Sequence, residues 1–295
     1  MKHFILKKGL QANLTFLMLI SSQISYAGPG AVQYLRTSKM SSYERYSITQ
    51  PQQASLLCPK QAINFVWQEN HLAPLGCASI TSSGDMQNQG IKYILHASTG
   101  SMGSYDDSTE PTLKSITDAI KSSILLAKSA HVHEIAIPLI GGKIFLSRIK
   151  EFRNSNEPAE KLTQELAYNI VKAAYETDDS LTYTFVGYSE QDTAQFKEAK
   201  QELVTERSIF VKIKFWLQNY FGSGNFSTRA KVVQGDITQF ETHHAQAIIN
   251  AANMELQFGG GLSGVIARAS GNAQEIDQAN AELIQQYYRL KQNGK

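Results

Sequence analysis

Residues 231–271 read KVVQGDITQFETHHAQAIINAANMELQFGGGLSGVIARASG. Two short apolar runs, 231–233 and 247–249, have the length of buried strands, and Gly235 with Asp236 and the stretch 250–253 stand where each run ends. In an open α/β sheet, ligands sit in the crevice outside the carboxyl ends of the strands. Gly259, Gly260 and Gly261 then open a helix-like stretch, 262–269. Glycines ahead of a helix N-terminus let backbone N–H groups approach a diphosphate. The segment predicts one half of a nucleotide-type site.

About 65 residues from this point to Lys295 are too few to bury an independent α/β core, so the rest of the sheet is expected upstream. PLGCASITSSGDMQNQGIKYILH, 74–96, reads as a turn followed by two strands, the second ending in His96. IAIPLIGGKIF, 135–145, reads as a strand and a glycine loop, and LTYTFVGYSEQDTAQF, 181–196, as a strand running into a helix. Between them, 111–130 places Leu113, Ile116, Ile120, Ile124 and Ala127 on one helical face, and 157–175 does the same with Leu162, Leu166, Ile170 and Ala173. Strands alternating with such helices predict a wound α/β sandwich.

GDIT at 235–238, NAAN at 250–253 and the glycine triplet before a small-residue helix together resemble the first half of a macro domain, the ADP-ribose-binding module. Segments 74–96, 135–145 and 181–196 resemble its second half, so the family's order is reversed in this chain. The resemblance implies a three-layer α/β/α macro-domain-like fold with a mixed sheet, circularly permuted. Two other readings stay open: a degenerate first copy before a truncated second, or a chain cut in mid-domain. The expected division is a signal peptide at 1–27, an N-terminal arm at 28–73, the second half of the domain at 74–200, a connector with an apolar helix at 201–229, and the first half at 230–295.

The resemblance also assigns roles. It gives Asp236, followed by Ile237, to the adenine amino group, although Asp236 before Thr238 equally suits a helix cap. Asn250 and Asn253 lie on the turn after the second strand, where amides offer donors and acceptors to ribose hydroxyls. Asn253 is the catalytic candidate if the protein is a hydrolase. Gly259, Gly260, Gly261, Leu262 and Ser263 form one phosphate loop, and Gly141, Gly142, Lys143, Ile144 and Phe145 the facing one. Four positions depart from the family. Lys143 and Leu146 stand where glycine is usual, Ser263 where one hydrolytic branch carries an acid, and Thr193 where several relatives carry an adenine-stacking aromatic. Tyr188 and Phe196 are the candidates to replace that ring.

The first 27 residues have a basic start at Lys2, Lys7 and Lys8, an apolar middle at 14–24 and a small-residue end at 25–27, which predicts export to a periplasmic or secreted location. Removing them takes away three lysines and no acid, turning a formal charge of +2 into −1. No basic stripe for nucleic acid remains. Cys58 and Cys77 either pair, as suits an exported protein, or stay as separate buried thiols. The apolar stretch 209–221 packs on the domain or touches a membrane surface or a partner. His131, His133, His243 and His244 read as solvated turn histidines without ligand-type partners, so no metal is expected. No redox cofactor is implied. The expected ligand is ADP-ribose, free or on a mono-ADP-ribosylated protein, with removal of the ADP-ribosyl group, recognition without turnover, or poly(ADP-ribose) or RNA binding as the competing uses.

Overall fold

The computed structural model describes residues 43–48, 54–60, 72–100, 110–178, 180–205 and 226–292. Their strands form one eight-stranded sheet: β1 (Tyr43–Ile48), β2 (Ala54–Pro59), β3 (Ala78–Ser82), β4 (Tyr93–Ser98), β5 (Glu134–Pro138), β6 (Thr182–Gly187), β7 (Ala230–Gln234) and β8 (Ala247–Ala252). The spatial order is β1-β2-β3-β4-β8-β5-β6-β7. The first four run as an antiparallel meander, and from β4 to β7 every neighbour is parallel. Strands from 74–200 and 230–295 therefore share one sheet, as the sequence predicts. The late strand β8 lies between β4 and β5.

Alternation along β8 shows how the layers form. Ala247 and Ile249 face the large core under the helices α1 (Leu113–Ser129), α2 (Ala159–Thr177) and α3 (Glu190–Thr205), while Ile248 faces the opposite core with Ile94, Ala136 and Ile266. Two one-turn helices, α4 (Phe226–Arg229) and α5 (Phe240–His243), flank β7. On the second face lie α6 (Gly261–Ser270) and α7 (Ala273–Gln292). Leu283, Ile284 and Tyr287 of α7 cover Leu56 and Cys58 of β2. The result is the three-layer α/β/α sandwich with a mixed sheet that the sequence predicts.

Helix α1 begins where its sequence signals. Thr112 accepts from the Ser115 N–H, and the Ser115 hydroxyl oxygen accepts from the Thr112 N–H, a reciprocal capping box.

The expected N-terminal arm, 28–73, is partly sheet. β2 is buried along its length, with Leu57 in one core and Leu56 in the other, so it is an interior strand covered by β1. The polar scatter of 28–51 hides this, since an edge strand needs no continuous apolar run. Cys58 on β2 forms a disulfide with Cys77, 19 residues further on, just before β3. The expected helix at 59–71 begins at a residue that ends β2, and its remainder past 60 lies outside the described residues, as do the leader 1–27 and the stretch 209–221.

Candidate functional site

The carboxyl ends of β4, β8, β5, β6 and β7 open into one cleft of about 590 Å³, within the usual range for small-molecule sites. Eleven of the residues expected at the site line it: Asp236, Ile237, Asn253, Gly259, Gly260, Gly261, Leu262, Ser263, Gly141, Gly142 and Phe145. The two glycine loops, more than a hundred residues apart in sequence, thus wall the same space. Among the described residues, chain neighbours aside, nothing lies within 4 Å of where a Cβ would stand on Gly259, Gly260 or Gly261, so this loop turns bare backbone to the cleft. Gly261 takes φ +60°, which glycine alone adopts without strain, and α6 begins there. Gly141, at φ +83°, has Ile116 and Ile149 just under its Cβ position.

The first loop is fixed from beneath. Asn253 Oδ1 accepts from the Gln257 N–H at 3.0 Å, and Asp277 Oδ1 accepts from the Phe258 N–H at 2.9 Å. Burial pushes the Asp277 carboxyl up, and the Phe258 N–H partly counters it. The Ser263 hydroxyl accepts from the Gly259 N–H at 3.2 Å, which leaves its proton for an oxygen in the cleft. With Asn253 Oδ1 occupied, the side-chain NH2 is what this residue offers a ligand.

Asp236 is tied to its own turn and also reaches the cleft. Its Oδ1 accepts from the N–H and hydroxyl of Thr238, both at 2.8 Å, which closes the turn after β7. The residue still lines the cleft, leaving Oδ2 as an acceptor there.

Asn250 is not part of the cleft. It lies within β8 rather than on the following turn, is fully buried, and sits opposite His96 of β4 with Nδ2 3.4 Å from His96 Nδ1. The period of 2 sends it into the sheet face below the glycine loop, where His96 also meets Thr81 at 2.9 Å and the edge of Phe258. Complete burial pushes the His96 pKa down to about 3. The side chains of Lys143 and Ile144 lie outside the described residues.

Of the two rings considered for Thr193, Phe196 is fully buried against Phe185, whereas Tyr188 is 75% exposed and lines the cleft beside Asp236. Thr193 itself packs against Gly187 and donates its hydroxyl to the Ser189 carbonyl. His243 is also unlike its expectation: it is buried, bonded to the Ile237 carbonyl and the Ala245 N–H, and burial lowers its pKa. It braces the turn that carries Asp236. Its immediate neighbour His244 hid this, because a His pair before a strand looks like a solvated turn. Among the described residues no cluster of His, Cys, Asp or Glu could hold a metal ion.

Sequence reasoning missed Thr99, Pro111, Arg148 and Asp192 in the cleft wall. They carry no motif, and only the strand order brings them there.

The family model for the macro domain matches residues 59–153. An O-acetyl-ADP-ribose deacetylase from Salmonella typhimurium is 51% identical over 47 residues, 16% of this chain and 25% of that protein. Another, from Cronobacter turicensis, is 53% identical over 45 residues, 15% of this chain and 24% of its own length. The uncharacterized protein PH1513 of Pyrococcus horikoshii is 46% identical over 56 residues, 19% of this chain and 28% of that protein. The chain spans about a quarter of the length of these curated relatives. No solved structure matches the chain with significance. Residues 59–153 thus match the macro-domain family model, and their strands belong to the mixed α/β sheet whose strand ends build this cleft.

Proposed function

We propose that the cleft binds ADP-ribose, free or linked to another group, and that the chain carries its macro domain in circularly permuted order. The carrying observation is the convergence of two distant glycine loops on one cleft, with Asp236 at one end and Asn253 further along. Backbone N–H groups around 141–142 and 261–263 suit a diphosphate, which helix α6 favours through its N-terminal partial charge. Asp236 Oδ2 suits an adenine amino group, and the exposed Tyr188 is the candidate to stack on the base. The Asn253 NH2 suits a ribose hydroxyl.

Hydrolysis of a group on the distal ribose is the second half of the proposal, supported by the named activity of the Salmonella and Cronobacter relatives. Here the protein's contribution is placement: the loops hold the diphosphate while Asn253 fixes the ribose and a water beside it. Ser263 brings no carboxylate, and Asp192 is committed as a cap, accepting from the Ser189 N–H at 3.1 Å. Ser263 in place of an acid favours recognition without turnover as the alternative. The disulfide supports export, since such bonds persist in oxidising compartments.

Titration calorimetry with ADP-ribose tests binding. Incubation with O-acetyl-ADP-ribose and with a mono-ADP-ribosylated protein then tests turnover. Absence of heat at millimolar ADP-ribose refutes the binding reading, and tight binding without release from any substrate refutes the hydrolytic one.

A further inference from the structure

Helix α7 reaches the cleft through a buried amide that is not itself in the cleft wall. Asn280 is fully buried, and both halves of its side chain are engaged: Oδ1 accepts from the Ser79 hydroxyl of β3 at 2.6 Å, and Nδ2 donates to the Leu256 carbonyl at 2.7 Å. The second bond lands on the loop that follows Asn253. A carbonyl can only accept, so the NH2 is the half that must face Leu256.

The Leu256 carbonyl and the Gln257 N–H belong to one planar trans peptide and point in opposite directions. The carbonyl meets Asn280, and the N–H meets Asn253 Oδ1 at 3.0 Å. One rigid plane thus links a buried amide of α7 to a residue that lines the cleft. The turn is not one that the chain takes unaided. Leu256 stands at φ +55°, in the left-handed region that disfavours leucine, with its N–H bonded to the Asn253 carbonyl at 3.1 Å. Leu256 is also fully buried, in the apolar cluster that includes Leu283 and Tyr287 of α7, so the loop cannot swing outwards without uncovering it. On the same helix face, three residues before Asn280, Asp277 holds the Phe258 N–H.

We propose that Asn280 is a positioning residue for Asn253. By holding the 256–257 peptide it fixes the Asn253 amide with its oxygen turned to the loop and its NH2 left for the oxygen of a ribose hydroxyl. This rests on the ADP-ribose reading, with the distal ribose at Asn253. Without the bond from Asn280 the peptide is free to rotate, the Gln257 N–H no longer pins Oδ1, and the Asn253 amide can turn over, which exchanges donor for acceptor at the ligand. A loss confined to the distal ribose is the mark of this role. ADP reports everything else, since it keeps the adenine and the diphosphate and lacks that ribose.

The test is calorimetry on the full chain with ADP-ribose and with ADP. The readout is the ratio of the two affinities, so a general weakening of the fold or the cleft cancels. Asn280→Leu keeps the volume and removes both bonds, and it should lower the ratio about tenfold relative to wild type. Ser79→Ala removes only the bond from β3; it should lower Tm and keep the wild-type ratio. Asn280→Asp keeps the Ser79 bond but sets a carboxylate oxygen against the Leu256 carbonyl. Its ratio should be low at alkaline pH and recover as pH falls and the protonated carboxyl donates again, a recovery that lost packing would not give. A wild-type ratio in Asn280→Leu overturns the proposal; should that variant not fold, a wild-type ratio in Asn280→Asp at alkaline pH does so. An equal drop of the ratio in Ser79→Ala also overturns it, because the site then acts by packing alone. If wild type does not bind ADP-ribose at all, the ADP-ribose reading fails, a result distinct from an unmoved ratio.

Discussion

Asp236 divides its two oxygens between structure and ligand. Oδ1 is committed to Thr238, so Asp236→Asn should keep the turn, because the amide oxygen must still accept there. The NH2 then faces the cleft and meets the adenine amino group donor to donor. ADP-ribose affinity should fall by about 1–3 kcal/mol with little change in thermal stability. A large drop in Tm would show that the carboxylate serves only the turn. Asn253 makes a different prediction because its NH2 is placed to act on the ribose and water of a reacting complex. If wild type hydrolyses O-acetyl-ADP-ribose, Asn253→Ala should lower kcat by roughly a hundredfold while ADP-ribose affinity changes only a few-fold. Equal losses in both would make Asn253 a binding residue alone.

Strands β3, β4 and β8 carry a polar row beneath the glycine loop, and its energetics depend on pH. The folded protein holds the His96 pKa near 3, below its ordinary value of 6.5. The neutral ring is thus favoured in the fold, while the unfolded chain takes up a proton as pH falls. The contribution of His96 is complete above pH 6.5 and is lost as pH falls towards 3, by about 1.4 kcal/mol per pH unit. Urea unfolding between pH 6 and 4 should show this slope, and His96→Gln should reduce it by one proton; an unchanged slope would mean that the ring is not held neutral. This row also marks what the sequence conceals. The strand ends, the loops and the caps were legible because turn chemistry and apolar period are local. Asn250 was misread because NAAN looks like a turn, whereas its register against His96 is set by the neighbouring strand. Tyr188 and Phe196 could not be told apart until the sheet showed which ring the core takes.

At the scale of the whole molecule, the decisive element is β8, which hydrogen-bonds to β4 on one side and β5 on the other. A chain ending at 225 should lack a cooperative unfolding transition, because the sheet is divided through its middle. Co-expression of 1–215 with 216–295 should restore a soluble complex that binds ADP-ribose, since the cut falls between β6 and β7 rather than within an element of the sheet. Failure to reassemble would point to 206–225 as part of the core. The shared sheet was legible because each half of the pattern was too short to close alone. The meander through β1 and β2 was not, since an edge pair of mixed composition has no distinctive period.

The central place of β8 also governs how the protein emerges from the ribosome. Synthesis passes β4 about 150 residues and β5 about 110 residues before it reaches β8, an interval of roughly five to thirty seconds at ordinary elongation rates. Throughout that time the two strands that flank the gap present unpaired edges of the kind that recruit other chains. The nascent polypeptide therefore keeps both edges open until β8 arrives, and any holdase that engages it does so before the sheet can shut.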